Sequence, residues 1–244
     1  DYDLEVVRSW EQYGKKYLGE HFSWQGHSIL ELGPGADLGV GITLLAAGAK
    51  SYQALDVNPL ALSTPSELYD HLSKRLKTEG YSVDNIQTLK NEVKYVCDKN
   101  FDITKFKKDN IDVIVSNASF EHFSDVKHTI RQMSETIQSG GVLITEVDLQ
   151  THSRWIREAD PLNIYRYQNW LYKLLSFSGT PNRIRPTAYK NWLEEYGWEN
   201  VVIYPKKTIS IEKVKAVQNG LDKEFRNEGE SLGWLSIVVC ATKK

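Results

Sequence analysis
The feature of this chain that most limits its fold is a regular alternation of short apolar runs with longer amphipathic stretches. Ser28–Leu32, Ser51–Asp56, Val93–Cys97, Ile111–Ser116 and Val142–Val147 read as strands. Between and before them, 3.6-residue periodicity predicts helices at Val6–Leu18, Val40–Ala47, Ser66–Thr78 and Val126–Ile137, the last stopped by Ser139-Gly140-Gly141. Strands that alternate with helices need crossover connections, so the expected fold class is α/β with a doubly wound, mostly parallel sheet.

The rhythm breaks from Asp148 to about Thr187, a region dense in Trp, Tyr, Arg and His that reads as a helical, substrate-side insertion. It resumes with a helix at Thr187–Tyr196, a strand at Glu199–Tyr204, a helix at Ile211–Phe225 and a strand at Leu235–Ala241. With no crossover helix evident after Asn227, the last two strands are expected to pair antiparallel at a sheet edge. At 244 residues the chain is expected to form one domain: an N-terminal helical cap (1–27), a core (28–147), the insertion (148–187) and the C-terminal part of the sheet (188–244).

Composition removes several function classes. A net charge of −2 gives no electrostatic footprint for nucleic acid or an acidic membrane surface. No apolar run approaches the roughly 20 residues of a bilayer span. Cys97 and Cys240 lie in strand-like runs without metal-ligand spacing, so they are expected to be reduced core thiols of a cytoplasmic protein, and no metal is expected.

The first motif is Ile29-Leu30-Glu31-Leu32-Gly33-Pro34-Gly35, a strand entering a glycine turn ahead of a helix, where a backbone can approach a ligand without Cβ interference. A second strand ends at Asp56, placed to accept hydrogen bonds from ribose hydroxyls. Leu38 stands where a dinucleotide fold wants its third glycine, which disfavours a nicotinamide-dependent oxidoreductase. Glu31 would repel a pyrophosphate but suits the cationic end of S-adenosyl-L-methionine.

These motifs resemble the class I, Rossmann-like S-adenosylmethionine-dependent methyltransferases, in particular their small-molecule, type 11-like branch. The resemblance rests on E-L-G-x-G at Glu31–Gly35, the acidic strand end at Asp56 and the S-x-x-x-x-E-H pattern from Ser116 to His122, in family order over Ser28 to Asp148. It implies seven strands with the last antiparallel, Glu31, Gly33 and Gly35 beside the methionine part of the cofactor, and Asp56 on the ribose. It further implies Asp102 and Ile103 at the adenine, with Asp98 as a rival, and Asn117, with Ser116 and Ala118, along the cofactor.

Methyl transfer to a hydroxyl requires loss of a proton, and histidine is the readiest base at neutral pH. Asp148-Leu149-Gln150-Thr151-His152 follows the fifth strand at the carboxyl edge where such sheets bind ligands. His152 is therefore read as the base and Asp148 as its orienter or an alternative base, against the plainer reading of a hydrogen-bonded loop histidine. His122 either faces the acceptor or buttresses the cofactor loop. Arg183 and Arg185 could clamp an anionic group of the acceptor, or simply form ion pairs. Trp155, Tyr165, Tyr167, Trp170 and Tyr172 either wall a sugar or pack a core, and Tyr13 and Tyr17 could cover the cofactor. The expected acceptor is a small molecule or sugar, with no nucleic acid or membrane partner; a non-catalytic partner domain is the alternative.

Overall fold
The computed structural model describes residues 2–177 and 179–244. Its seven strands are β1 (Ser28–Leu32), β2 (Ser51–Asp56), β3 (Lys94–Cys97), β4 (Ile111–Asn117), β5 (Ile137–Asp148), β6 (Trp198–Thr208) and β7 (Trp234–Lys243). They form one sheet in the order β3-β2-β1-β4-β5-β7-β6. The β3-β2-β1-β4-β5 ladder is parallel, and β7 runs antiparallel to both β5 and β6. This is the doubly wound, Rossmann-like sheet with a reversed last strand.

Eight helices accompany it among the described residues: α1 (Tyr2–Leu18), α2 (Gly39–Ala46), α3 (Ser66–Thr78), α4 (Ile86–Glu92), α5 (Val126–Thr136), α6 (Asn169–Leu175), α7 (Pro186–Glu195) and α8 (Ile211–Gln218). Alternation along the strands divides the core. Ile29, Val113, Val115 and Ile144 pack on one face with Trp10 of α1 and Leu44 of α2, whereas Leu30, Ile114 and Leu143 pack on the other with Ile130 of α5 and Tyr189 of α7. Helix α2 is buried along all but its last residue, as a sequence apolar but for Thr43, whose hydroxyl donates to the Gly39 carbonyl, allows. Its Gly41 is pressed against Tyr52: a Cβ there would stand 2.1–2.5 Å from the ring. Gly41→Ala is expected to cost about 1–3 kcal/mol, from overpacking, and urea unfolding at neutral pH checks it.

The structure corrects the sequence reading in four places. Helix α5 ends at Thr136 and β5 begins at once, so the Gly140-Gly141 pair lies inside a strand rather than stopping a helix. Gly140 has φ +79° where the β4–β5 register shifts, a bulge that takes a residue free of Cβ strain. Helix α4, too polar to bury any residue, was not anticipated. The helix expected over 211–225 stops at Gln218, capped by Asn219 ahead of Gly220, although Leu221 and Phe225 remain buried. Cys97, on the edge strand, is exposed, and only Cys240 is a core thiol.

The region 148–187 holds α6 and has its own small core. Leu162, Ile164 and Tyr165 pack against Val214 of α8 and Leu232, fixing this segment over the carboxyl ends of β4 and β5. No helix among the described residues is long and apolar enough to cross a membrane.

Candidate functional site
The strand order reverses between β1 and β4, and there, at their carboxyl ends, a cleft of about 460 Å³ opens. Its floor is the turn after β1. Gly33 and Gly35 have φ of +74° and +81°, a left-handed conformation that other residues adopt only under strain. A Cβ on Gly33 would collide with the Ser119 hydroxyl, while Gly35 faces open space. The turn is braced from two sides: Ser119 Oγ donates to the Gly33 carbonyl at 3.0 Å, and the Gly35 amide donates to Asp56 Oδ2 at 3.2 Å. Asp56 Oδ1 accepts from the Asn58 amide at 3.0 Å, and the carboxylate lines the cleft. It thus keeps acceptor capacity for a ligand.

The other expected cofactor residues are distributed differently. Ile103 is fully buried, and Asp102 caps its own short 3₁₀ turn, accepting from the Thr104 amide at 3.0 Å and the Thr104 hydroxyl at 2.6 Å. The cleft wall at that end is Lys99, Asn100 and Phe101, which no spacing in the sequence singled out. Asn117 donates to the Tyr2 hydroxyl at 2.8 Å, on the rim beside α1. Neighbouring Ala118, with φ +49°, lines the cleft instead. Tyr13 and Tyr17 do not cover it: Tyr13 packs on Tyr204, and the Tyr17 hydroxyl meets Thr242 Oγ1 at 2.8 Å, both at the β6–β7 edge.

Glu31 lies one layer below the cleft, buried, accepting a short hydrogen bond from the Tyr52 hydroxyl. Burial, opposed by that bond and reinforced by repulsion from Asp3, Asp37 and Asp56, pushes its carboxyl up to about 8. An unfolded chain would release this proton near the ordinary 4.5. The native state therefore gains from holding it below that pH, and the gain is lost as pH rises through about 8. Glu31→Gln, which stays neutral, should gain stability relative to the parent between pH 5 and 8, by about 1–2 kcal/mol or more. Urea midpoints across that range decide it, and a difference independent of pH would refute the assignment.

Beyond this cleft lies a second cavity of about 640 Å³, formed by the loop after β5 and the insertion. Thr151 and His152 line one side of it, and Tyr167, Tyr172, Leu175 and Phe177 the other. Of the five expected wall aromatics, Tyr167 and Tyr172 line this space, Tyr165 is core, and Trp155 and Trp170 point to solvent. The two cavities meet at a pair of imidazoles. His122 lines the first, His152 lines the second, and their rings stand 4.9 Å apart, edge to face.

Burial lowers the pKa of both histidines. His152 Nε2 is shielded and has no hydrogen-bond partner; Asp148 Oδ2, at 3.6 Å, is an electrostatic neighbour rather than an acceptor. Asp148 is itself fixed by Arg157 and by the Gln150 amide at 3.0 Å. Beneath them Glu121, 2% exposed, has both carboxylate oxygens shielded and unpartnered, and burial lifts its pKa to about 8.

Arg183 and Arg185 are placed elsewhere than expected. Arg183 donates to the Ile164, Tyr167 and Asn169 oxygens, at 3.2, 2.6 and 3.1 Å, and stacks on Tyr172. Arg185 reaches the Tyr165 hydroxyl at 3.2 Å and the Ser231 carbonyl. Both are buried braces that lock the insertion, and neither lines either cavity, so the anion clamp is replaced by an internal role. Their neighbour Asn182, passed over in the sequence, holds the Phe120–His122 turn: its Nδ2 donates to the Phe120 carbonyl at 2.7 Å and its amide to that of Glu121 at 2.7 Å.

The chain matches the family model of a methyltransferase domain over residues 15–203. No curated protein matches it. Among solved structures it is similar to an S-adenosylmethionine-dependent methyltransferase from Mesorhizobium loti, with 14% identity over 100% of this chain and 98% of that one, TM-score 0.52. A further similarity is to a methyltransferase of the same description from Archaeoglobus fulgidus, at 12% identity over 98% and 94% of the two chains, TM-score 0.52. A third is to phosphoethanolamine N-methyltransferase 2 of Haemonchus contortus, in complex with phosphomonomethylethanolamine and S-adenosylhomocysteine. That match has 13% identity and a TM-score of 0.52; it covers 99% of this chain but only 52% of the longer relative.

Proposed function
This chain belongs to the methyltransferase domain family, and we propose that it transfers the methyl group of S-adenosylmethionine to a hydroxyl oxygen of a small molecule or sugar held in the second cavity. The observation that carries this reading is the junction of the two cavities at His122 and His152. A donor lying along Gly33, Gly35 and Asp56 and an acceptor lying among Tyr167, Tyr172 and His152 would meet there.

The cleft fits the cofactor on its own features. Gly35 leaves open space above the turn, Asp56 offers the ribose an acceptor, and Phe101 offers a flat base an aromatic edge. The sulfonium supplies an electrophilic methyl, so the chain's share of the chemistry is alignment and proton removal. Tyr167 and Tyr172 orient the acceptor. His152, its pKa lowered by burial and its Nε2 3.6 Å from the Asp148 carboxylate, takes the hydroxyl proton on that unpartnered nitrogen as the oxygen attacks.

The test is calorimetry of S-adenosylmethionine, S-adenosylhomocysteine and NAD on the purified chain, followed by an acceptor screen with methyl-labelled cofactor. Binding of the first two alone, then label transfer to hydroxylated acceptors, is the expected result. Binding of NAD alone would transfer the chain to oxidoreductase chemistry, and binding of none would favour a partner domain.

A further inference from the structure
From the juxtaposition of Glu121, His122 and His152 we infer that the junction between the two cavities is a binding site for a divalent transition metal of the zinc type. One donor atom from each of the three lies within 4.8 Å of the others. The sequence hides this arrangement, because thirty residues separate the Glu121-His122 pair from His152 and no ligand-spacing motif spans them.

Three independent features point to a cation rather than to a chance cluster. Glu121 is 2% exposed and neither of its carboxyl oxygens has a partner at hydrogen-bond geometry, so only the nearby backbone of Glu121 and Asp148 offsets its desolvation. His152 Nε2 is likewise shielded and unpartnered. The His122 ring lines the first cavity and stands edge to face with that of His152 at 4.9 Å, so a second imidazole borders the same point.

Two imidazoles and one carboxylate form a donor set suited to zinc, which takes such ligands at about 2.0–2.2 Å and leaves a fourth position open when it serves catalysis. Magnesium and calcium, which prefer all-oxygen shells, suit it poorly. Tetrahedral binding would draw the donors to roughly 3.3 Å from one another, and His152, whose side chain is 30% exposed, has room to make that movement.

For its catalytic consequence, though not for binding itself, the inference rests on the reading of the second cavity as the acceptor's. A metal-bound His152 has no lone pair left for a proton. A cation held by Glu121, His122 and His152 would make a nearby acceptor hydroxyl more acidic, and Asp148, whose Oδ2 lies 3.6 Å from His152 Nε2, would then be the carboxylate placed to take its proton as the oxygen gains the methyl group.

The experiment titrates Co²⁺ into the untagged, chelator-stripped chain and follows visible absorption, with Zn²⁺ as competitor. One equivalent should give the intense bands of four- or five-coordinate cobalt, and zinc should abolish them. His122→Ala and His152→Ala should each weaken Co²⁺ binding on the order of 100-fold. His21→Ala, an exposed control, should not change it. Calorimetry of S-adenosylhomocysteine on His152→Ala reports separately that the variant is folded. Lack of the bands in the parent, or binding that survives both histidine variants, overturns the site. A parent that binds cobalt as expected but not S-adenosylhomocysteine would instead sink the methyl-transfer reading and leave the metal site standing.

Discussion

Replacing His152 with alanine is expected to lower methyl transfer by about 10²–10⁴-fold, the usual range for a lost general base, while leaving S-adenosylhomocysteine affinity within about twofold. The separation follows from placement. His152 lines the second cavity and not the cleft at Gly33, Gly35 and Asp56, so on the proposed reading its removal takes away no cofactor contact. Its free Nε2 lies 3.6 Å from Asp148 and its ring 4.9 Å from that of His122, so truncation empties the point where the two cavities meet. Initial rates with saturating cofactor give the first number and calorimetry the second. Equal loss of both would show that His152 holds the site together rather than acting on the acceptor. Chelator-treated parent separates base from ligand: a base continues to work without metal, whereas a metal-dependent site loses turnover until the cation is restored.

Much of the frame was legible because it rests on local, repetitive physics. Short apolar runs mark β1 and β2 and a β-branched run marks β4, and the Gly33–Gly35 turn and Asp56 follow from where the first two runs end. What stayed hidden depends on long-range packing. Arg183 and Arg185 look like free guanidiniums in an extended stretch, and only the fold shows that the carbonyls of Ile164, Tyr167 and Ser231 absorb them. Tyr13 and Tyr17 sit on a helix of the expected kind, but their face is set by contact with β6 and β7 rather than by the helix. Glu121 was visible as half of an E-H pair, yet its significance lies in having no partner, a property no local pattern encodes. Of the elements missed, α4 is short and turns only Ile86 and Leu89, both partly buried, to the core, too little to set a period, and the β5 bulge hides behind glycines that equally signal a helix end.

Asp56→Ala is expected to cost about 2–3 kcal/mol of cofactor binding, roughly 30–150-fold in the dissociation constant for S-adenosylhomocysteine, because it deletes charge-assisted hydrogen bonds to the ribose. Two effects contribute and can be divided. The carboxylate presents acceptors to the cleft, and through Oδ2 it also tethers the Gly35 amide at 3.2 Å, so alanine loosens the turn as well as removing the ligand contact. Asp56→Asn keeps the size of the side chain and one oxygen for the Asn58 or Gly35 amide, but loses the charge and half of the acceptor capacity. If ribose recognition dominates, asparagine should lose most of what alanine loses. If the tether dominates, asparagine should bind nearly as the parent does, and the alanine variant alone should fail. Calorimetry of the three proteins at one pH and salt concentration distinguishes these outcomes. Parental affinity in Asp56→Ala would remove the cofactor from this cleft altogether, since no other carboxylate among the cleft-lining residues stands at a strand end beside the glycine turn: Asp125, the second acid there, is committed to capping α5 through the His128 amide at 2.8 Å.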